Sequence, residues 1–106
     1  MGSSVDMSGE VMSLRVFISE QDSFEGKPLY EVIVKKAREL HLAGATVTRG
    51  IMGYGAYSRI HTAKLLRLSE DLPVVVEIVD SMKRLNELVT FLDTTVRQGL
   101  ITLEKV

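Results

Sequence analysis

The sequence predicts an α+β fold, a ferredoxin-like βαββαβ sandwich in which two helices cover one face of an antiparallel sheet. Three observations carry this expectation: an alternating apolar segment at residues 14–18, two amphipathic helical stretches, and a β-branched run after each helix or before the next. Together they divide the chain into two strand-helix-strand halves, and the ferredoxin-like arrangement is the usual outcome of that order.

Leu14, Val16 and Ile18 alternate with Arg15, Phe17 and Ser19, the period of a strand with one face buried. A polar connection at residues 21–27 leads to Pro28, expected as the first residue of a helix because its missing N–H needs no partner there. Leu29, Val32, Ile33, Ala37 and Leu40 then recur at helical spacing, with Glu31, Lys35, Arg38 and Glu39 on the solvated side. Gly44 is the expected stop. Residues 45–49 read as a second strand, and residues 63–69 have strand character before the turn Glu70-Asp71-Leu72-Pro73. Residues 74–79 form the strongest strand, followed by Asp80 and Ser81 as helix caps and by Met82, Leu85, Leu88, Val89, Leu92 and Val96 at helical spacing. Gly99 stops that helix, and residues 100–106 make a last short strand.

A chain of 106 residues fits one core. Residues 1–11 are small, polar and aperiodic and are assigned to a disordered leader or cloning remnant, leaving the domain at residues 12–106. The 13 basic and 14 acidic side chains nearly cancel, which gives no electrostatic footprint for nucleic acid. There is no cysteine, so disulfides, zinc-thiolate sites and thiol nucleophiles are excluded together. No apolar run reaches the roughly 20 residues of a membrane-spanning helix, and the first residues lack a signal-peptide pattern. A soluble, cytoplasmic protein is expected. Val75 and Val79 leave the strongest strand apolar on its second face, and Phe17 points away from Val16 and Ile18, so a second copy of the chain is expected to cover that face.

Function is expected in the glycine-rich segment from Arg49 to His61. Gly50, Gly53 and Gly55 permit close backbone approach and an amide nest for an anion, Arg49 and Arg59 can pair with phosphate, and Tyr54 can stack on a base. The residues alone leave a second reading open, in which the glycines only let the chain turn. A dinucleotide fingerprint is weak, because the spacing is Gly-x-x-Gly-x-Gly and a strand follows it, and the Gly-Lys-Ser/Thr ending of a phosphate loop is missing. His61 has no assigned nucleophile or orienting carboxylate, and His41 suits the C-terminal end of the first helix, so neither catalytic nor metal residues are assigned. Two other classes stay in view: a small ferredoxin-like enzyme using His61 with a loop carboxylate, and a structural oligomerisation module.

The motifs Glu25-Gly26-Lys27-Pro28-Leu29-Tyr30, Ala43-Gly44-Ala45-Thr46-Val47, Arg49-Gly50-Ile51-Met52-Gly53-Tyr54-Gly55 and Arg59-Ile60-His61-Thr62 resemble those of PII-like proteins. The resemblance is to the family of unknown function related to the PII nitrogen-regulatory signal proteins, and it covers residues 14–106. It implies a homotrimer that binds an adenine nucleotide in clefts between subunits, needs no cofactor, and reports occupancy through residues 50–63 to a partner protein. Because some members are associated with small membrane channels and transporters, it also implies a transporter or channel as that partner. The ligand-binding positions it implies are Arg49, Gly50, Met52, Gly53, Tyr54, Gly55, Arg59 and His61. True PII proteins carry a second phosphate loop before the last strand; Arg97-Gln98-Gly99-Leu100-Ile101 is too short and apolar for one, and the chain stops at Val106 without a basic tail. AMP or ADP is therefore expected as ligand over ATP.

Overall fold

The computed structural model describes residues 10–54, 61–62 and 71–106, and the strand expected at residues 63–69 lies outside them. In chain order the elements are β1 (Val11–Ser19), β2 (Ser23–Phe24), β3 (Lys27–Pro28), α1 (Leu29–Glu39), β4 (Thr46–Arg49), β5 (Met52–Gly53), β6 (His61–Thr62), β7 (Pro73–Ser81), α2 (Met82–Thr95) and β8 (Leu100–Lys105). The main sheet runs β4-β7-β1-β8, with each neighbouring pair antiparallel. This is the ferredoxin-like order expected from the sequence. The first strand starts at Val11, inside the segment assigned to the leader, and the Glu10 carbonyl accepts the Met82 N–H at 2.9 Å.

Strand alternation decides the two faces. Leu14, Val16 and Ile18 of β1 and Val74, Val76 and Ile78 of β7 are buried and meet Leu29, Ile33 and Ala37 of α1 and Leu85, Leu88 and Leu92 of α2 in a single core. The helices contribute residues spaced by three or four positions, so each presents one continuous stripe.

Both helix starts and one helix stop rest on local chemistry. Ser81 caps α2, its hydroxyl accepting the Arg84 N–H at 3.3 Å. Pro28 is the residue before α1 instead of its first turn, has no capping side chain, and leaves the Leu29 N–H to donate to the Asp22 carbonyl at 2.8 Å. The first helix ends well before Gly44. His41 takes the left-handed conformation at φ 58°, its N–H donating to the Arg38 carbonyl at 3.0 Å while the Leu42 N–H donates to that of Ala37 at 3.1 Å. These two bonds define a Schellman stop with histidine in the position glycine usually holds.

A buried carboxylate joins that stop to the second helix. Asp80, fully buried, accepts the N–H of Ala43 at 2.9 Å and that of Ser81 at 2.7 Å, and pairs with the Arg84 guanidinium at 3.0 Å. Arg84 also donates to the His41 carbonyl. Asp80 is thus a tie between the α1–β4 turn and the β7–α2 junction, in addition to flanking the cap.

The segment at residues 21–27 is more ordered than a polar connection. Strands β2 and β3 pair across a two-residue turn, Glu25 at φ 51° and Gly26 at φ 79°, the signs that a type I′ hairpin requires. Phe24 carries the hairpin onto α2 through an edge-to-face contact with Phe91, 6.4 Å between centroids, and Lys36 lies 5.2 Å from the centre of the same ring.

The second face of the sheet is mixed. Phe17 and Leu100 lie exposed opposite one another, while beside them Arg15 bridges Glu77 at 2.9 Å and Glu104 at 3.3 Å, and the Ser13 hydroxyl donates to Glu77 at 3.1 Å. Hydrogen bonds from Arg15 and then Ser13 hold the Glu77 carboxyl below the usual glutamate range. A lowered native value means that the contribution is complete above the unfolded-state titration and is lost as the pH falls through the native one. Urea unfolding followed from pH 6 down to pH 3 should accordingly show the wild type losing more stability than Glu77→Gln; parallel profiles would refute the assignment.

Candidate functional site

The glycine-rich segment departs from the sheet at a corner where β1 ends, β4 ends and β7 begins. Ser19 is opposite Pro73, Arg49 is opposite Val74, and the Gly50 N–H extends the ladder by donating to the Pro73 carbonyl at 2.7 Å. The chain then returns past the same proline. A Cβ on Gly50 would lie 2.8 Å from Pro73 Cγ, and one on Gly53 would lie 3.0 Å from it. These glycines are required by contact with a rigid ring, since neither has the positive φ of an amide nest. The nest expected from the sequence is therefore not formed by Gly50 and Gly53, and the Gly50 amide already has its acceptor.

Beyond Gly50 the described residues include a two-stranded pair. β5 and β6 pair antiparallel, Met52 opposite Thr62 and Gly53 opposite His61, so His61 is brought back beside the glycines through the backbone. Ile51, Met52 and Tyr54 are among the most exposed large side chains described, at 79%, 62% and 72%. Such a cluster offers flat apolar and aromatic surface next to the corner. Gly55 and Arg59 lie outside the described residues.

Arg49 does not stand free. Its guanidinium Nη2 meets the Glu20 Oε2 at 2.6 Å, with the arginine side chain 61% and the glutamate 23% exposed. The backbone around Glu20 is fixed: its N–H donates to the Leu72 carbonyl at 2.8 Å, Asp22 accepts the Ser19 N–H at 2.9 Å, and Asp71 accepts the Gln21 N–H at 3.1 Å. Three carboxylates thus lie at the turn after β1, of which Glu20 meets the Arg49 guanidinium while Asp22 and Asp71 accept backbone N–H groups. Sequence reasoning missed Glu20 and Pro73. No motif marks either, because their roles arise from strand register between segments far apart in the chain.

Among the described residues no group of histidine, aspartate and glutamate is arranged to hold a metal ion, and no helix is long and apolar enough to cross a membrane. The segment thus carries an exposed aromatic ring at Tyr54 and, at Arg49, a largely exposed guanidinium already paired with a carboxylate.

Comparison with known proteins gives the lineage. The profile of DUF190, described as Uncharacterized ACR, matches residues 11–106. The chain belongs to the DUF190 family. A UPF0166 protein of Aquifex aeolicus (strain VF5) is 46% identical over 93 residues, covering 88% of each chain, and one of Methanocaldococcus jannaschii is 36% identical over 89 residues, covering 83% of this chain and 82% of that one. The DUF190 chain also superposes on CPII, a nitrogen regulatory PII-like protein from Thiomonas intermedia K12 solved bound to ADP, AMP and bicarbonate. That match has a TM-score of 0.64 at 12% identity and covers 91% of this chain and 85% of CPII. CutA from Synechococcus elongatus PCC7942 matches with a TM-score of 0.59 at 13% identity, covering 98% of this chain and 83% of CutA. The PII-like resemblance expected from the sequence motifs therefore holds for the fold, which this chain shares with CPII.

Proposed function

We propose that this protein is a PII-like regulator that binds an adenine nucleotide at the Arg49–Tyr54 corner and passes its occupancy to a partner protein through residues 50–63. The observation that carries the reading is the PII-like fold shared with CPII, whose structure holds ADP and AMP. The residues support it in kind: Tyr54 supplies an exposed ring for stacking on adenine, and Arg49 a guanidinium for phosphate. The described corner of one chain is net acidic, so further positive charge has to come from outside it, from Arg59 or from a neighbouring copy. A homotrimer packed through the Phe17 and Leu100 face would complete the clefts. AMP or ADP is preferred over ATP because α2 and β8 are joined by the short link Val96-Arg97-Gln98-Gly99, which has no length for a second phosphate loop.

Thermal melts with AMP, ADP, ATP and cyclic AMP test this directly. Ligand at about 100 times its dissociation constant adds roughly 2.7 kcal/mol of apparent stability, a rise of several degrees in Tm for a domain of this size. AMP or ADP should give the largest rise. No rise with any of the four at millimolar concentration would sink the nucleotide reading.

A further inference from the structure

We propose that Glu20 is a built-in competitor for the anion, holding Arg49 until a phosphate displaces it and so setting the affinity and charge selectivity of the corner. The inference rests on the nucleotide reading for the identity of the ligand, and on four features of the corner for its mechanism.

First, among the described residues Glu20 is the side-chain partner of Arg49, at 2.6 Å. A phosphate that recruits the guanidinium must replace this carboxylate or share the cation with it. Second, the two partners differ in freedom. Glu20 is held at the end of β1 by the bond from its N–H to the Leu72 carbonyl and is mostly covered, whereas the Arg49 side chain is largely in solvent. The arginine is the member able to turn toward a ligand. Third, Asp22 and Asp71 are both occupied as acceptors for backbone N–H groups of the adjoining turn, of Ser19 and Gln21. Glu20 is the carboxylate of this trio that uses its charge on a side-chain cation. Fourth, the Gly50 amide, which follows Arg49 directly, already donates to the Pro73 carbonyl and is not free for an anion. The guanidinium is the cationic donor at this point, and its release from Glu20 is the step that makes the corner receptive.

A carboxylate left behind after displacement also repels the incoming negative charge. The corner should therefore discriminate against ligands in proportion to the charge they place beside Glu20.

Isothermal titration with ADP, and separately with inorganic pyrophosphate, on wild type, Glu20→Gln, Arg49→Ala and the double variant tests the proposal. Glu87→Gln, an exposed helical position that makes the same change in net charge, is the control. Glu20→Gln should bind ADP about fivefold more tightly, the scale of one partly exposed ion pair. In the Arg49→Ala background the same change should gain less than about twofold, since no cation remains to be released. Unchanged or weaker ADP binding by Glu20→Gln would overturn the proposal, as would an equal gain in Glu87→Gln or in the Arg49→Ala background. If ADP binds none of the variants but Glu20→Gln acquires Arg49-dependent pyrophosphate binding, the competitor stands and the nucleotide reading falls. Failure of Glu20→Gln with both probes overturns the competitor itself. Melts without ligand confirm that each variant is folded.

Discussion

Replacing Asp80 with alanine is expected to destabilise the domain by about 3 kcal/mol, lowering Tm by more than about 10 °C. The carboxylate is fully buried and serves three donors at once, the Ala43 and Ser81 N–H groups and the Arg84 guanidinium. Removing it strands two backbone donors and leaves Arg84, a partly buried cation, without its anion. Asp80→Asn should lose less, because an amide oxygen can still accept one of those bonds. Arg84 can keep its bond to the His41 carbonyl, so the α1–β4 turn should stay tethered at His41 and loosen at Ala43, whose N–H has lost its acceptor. Urea unfolding of both variants gives the comparison, and a loss below about 1 kcal/mol for the alanine would refute the role.

Gly99→Val is the second large effect, expected at about 3 kcal/mol from overpacking. A Cβ at Gly99 would lie 2.7 Å from the Phe17 carbonyl oxygen and 3.1 Å from methyl groups of both Ile18 and Val96. The first of these is backbone in a central strand and cannot rotate aside. The strain should appear where β8 leaves α2, as faster hydrogen exchange in the β1–β8 ladder while the β1–β7 ladder stays protected. Gly44→Ala is the matched control: nothing lies within 4 Å of its Cβ position and its φ is not in the left-handed region, so it should stay within about 0.5 kcal/mol of wild type. A Gly99→Val variant as stable as Gly44→Ala would mean that the link between α2 and β8 has slack. The preference proposed for AMP and ADP would then lose its structural support.

Periodicity made the main fold legible. β1, α1, β7 and α2 each bury one clear stripe, and such stripes survive in the amino-acid order because helix and strand repeat at different periods. Local punctuation was read less well. The Glu25-Gly26 turn lacks the usual Asn or Asp before glycine, so the small hairpin looked like a polar link. His41 ends α1 where glycine was expected, because the Schellman bonds and the Arg84 contact to its carbonyl hold a left-handed histidine in place. The chemistry of the glycine-rich segment was legible in the sequence, but its packing was not. The residues that crowd Gly50 and Gly53 are the ring atoms of Pro73, and the carboxylate that restrains Arg49 is Glu20, 29 residues earlier. Pairings of that kind follow from register and leave no local signature.

The place of β1 in the sheet carries a kinetic consequence. It is a central strand flanked by β7 and β8, so its ladder partners lie far along the chain; Ser13 and Glu77, which meet across that ladder, are 64 residues apart. During synthesis β1 therefore emerges first and waits, with both hydrogen-bonding edges unpaired, until the second half of the chain arrives. Closing so long a loop is the slow event. Folding should thus be rate-limited by docking of the second strand-helix-strand half onto the first, and in that interval the exposed edges of β1 are the surface most open to mispairing with another nascent chain.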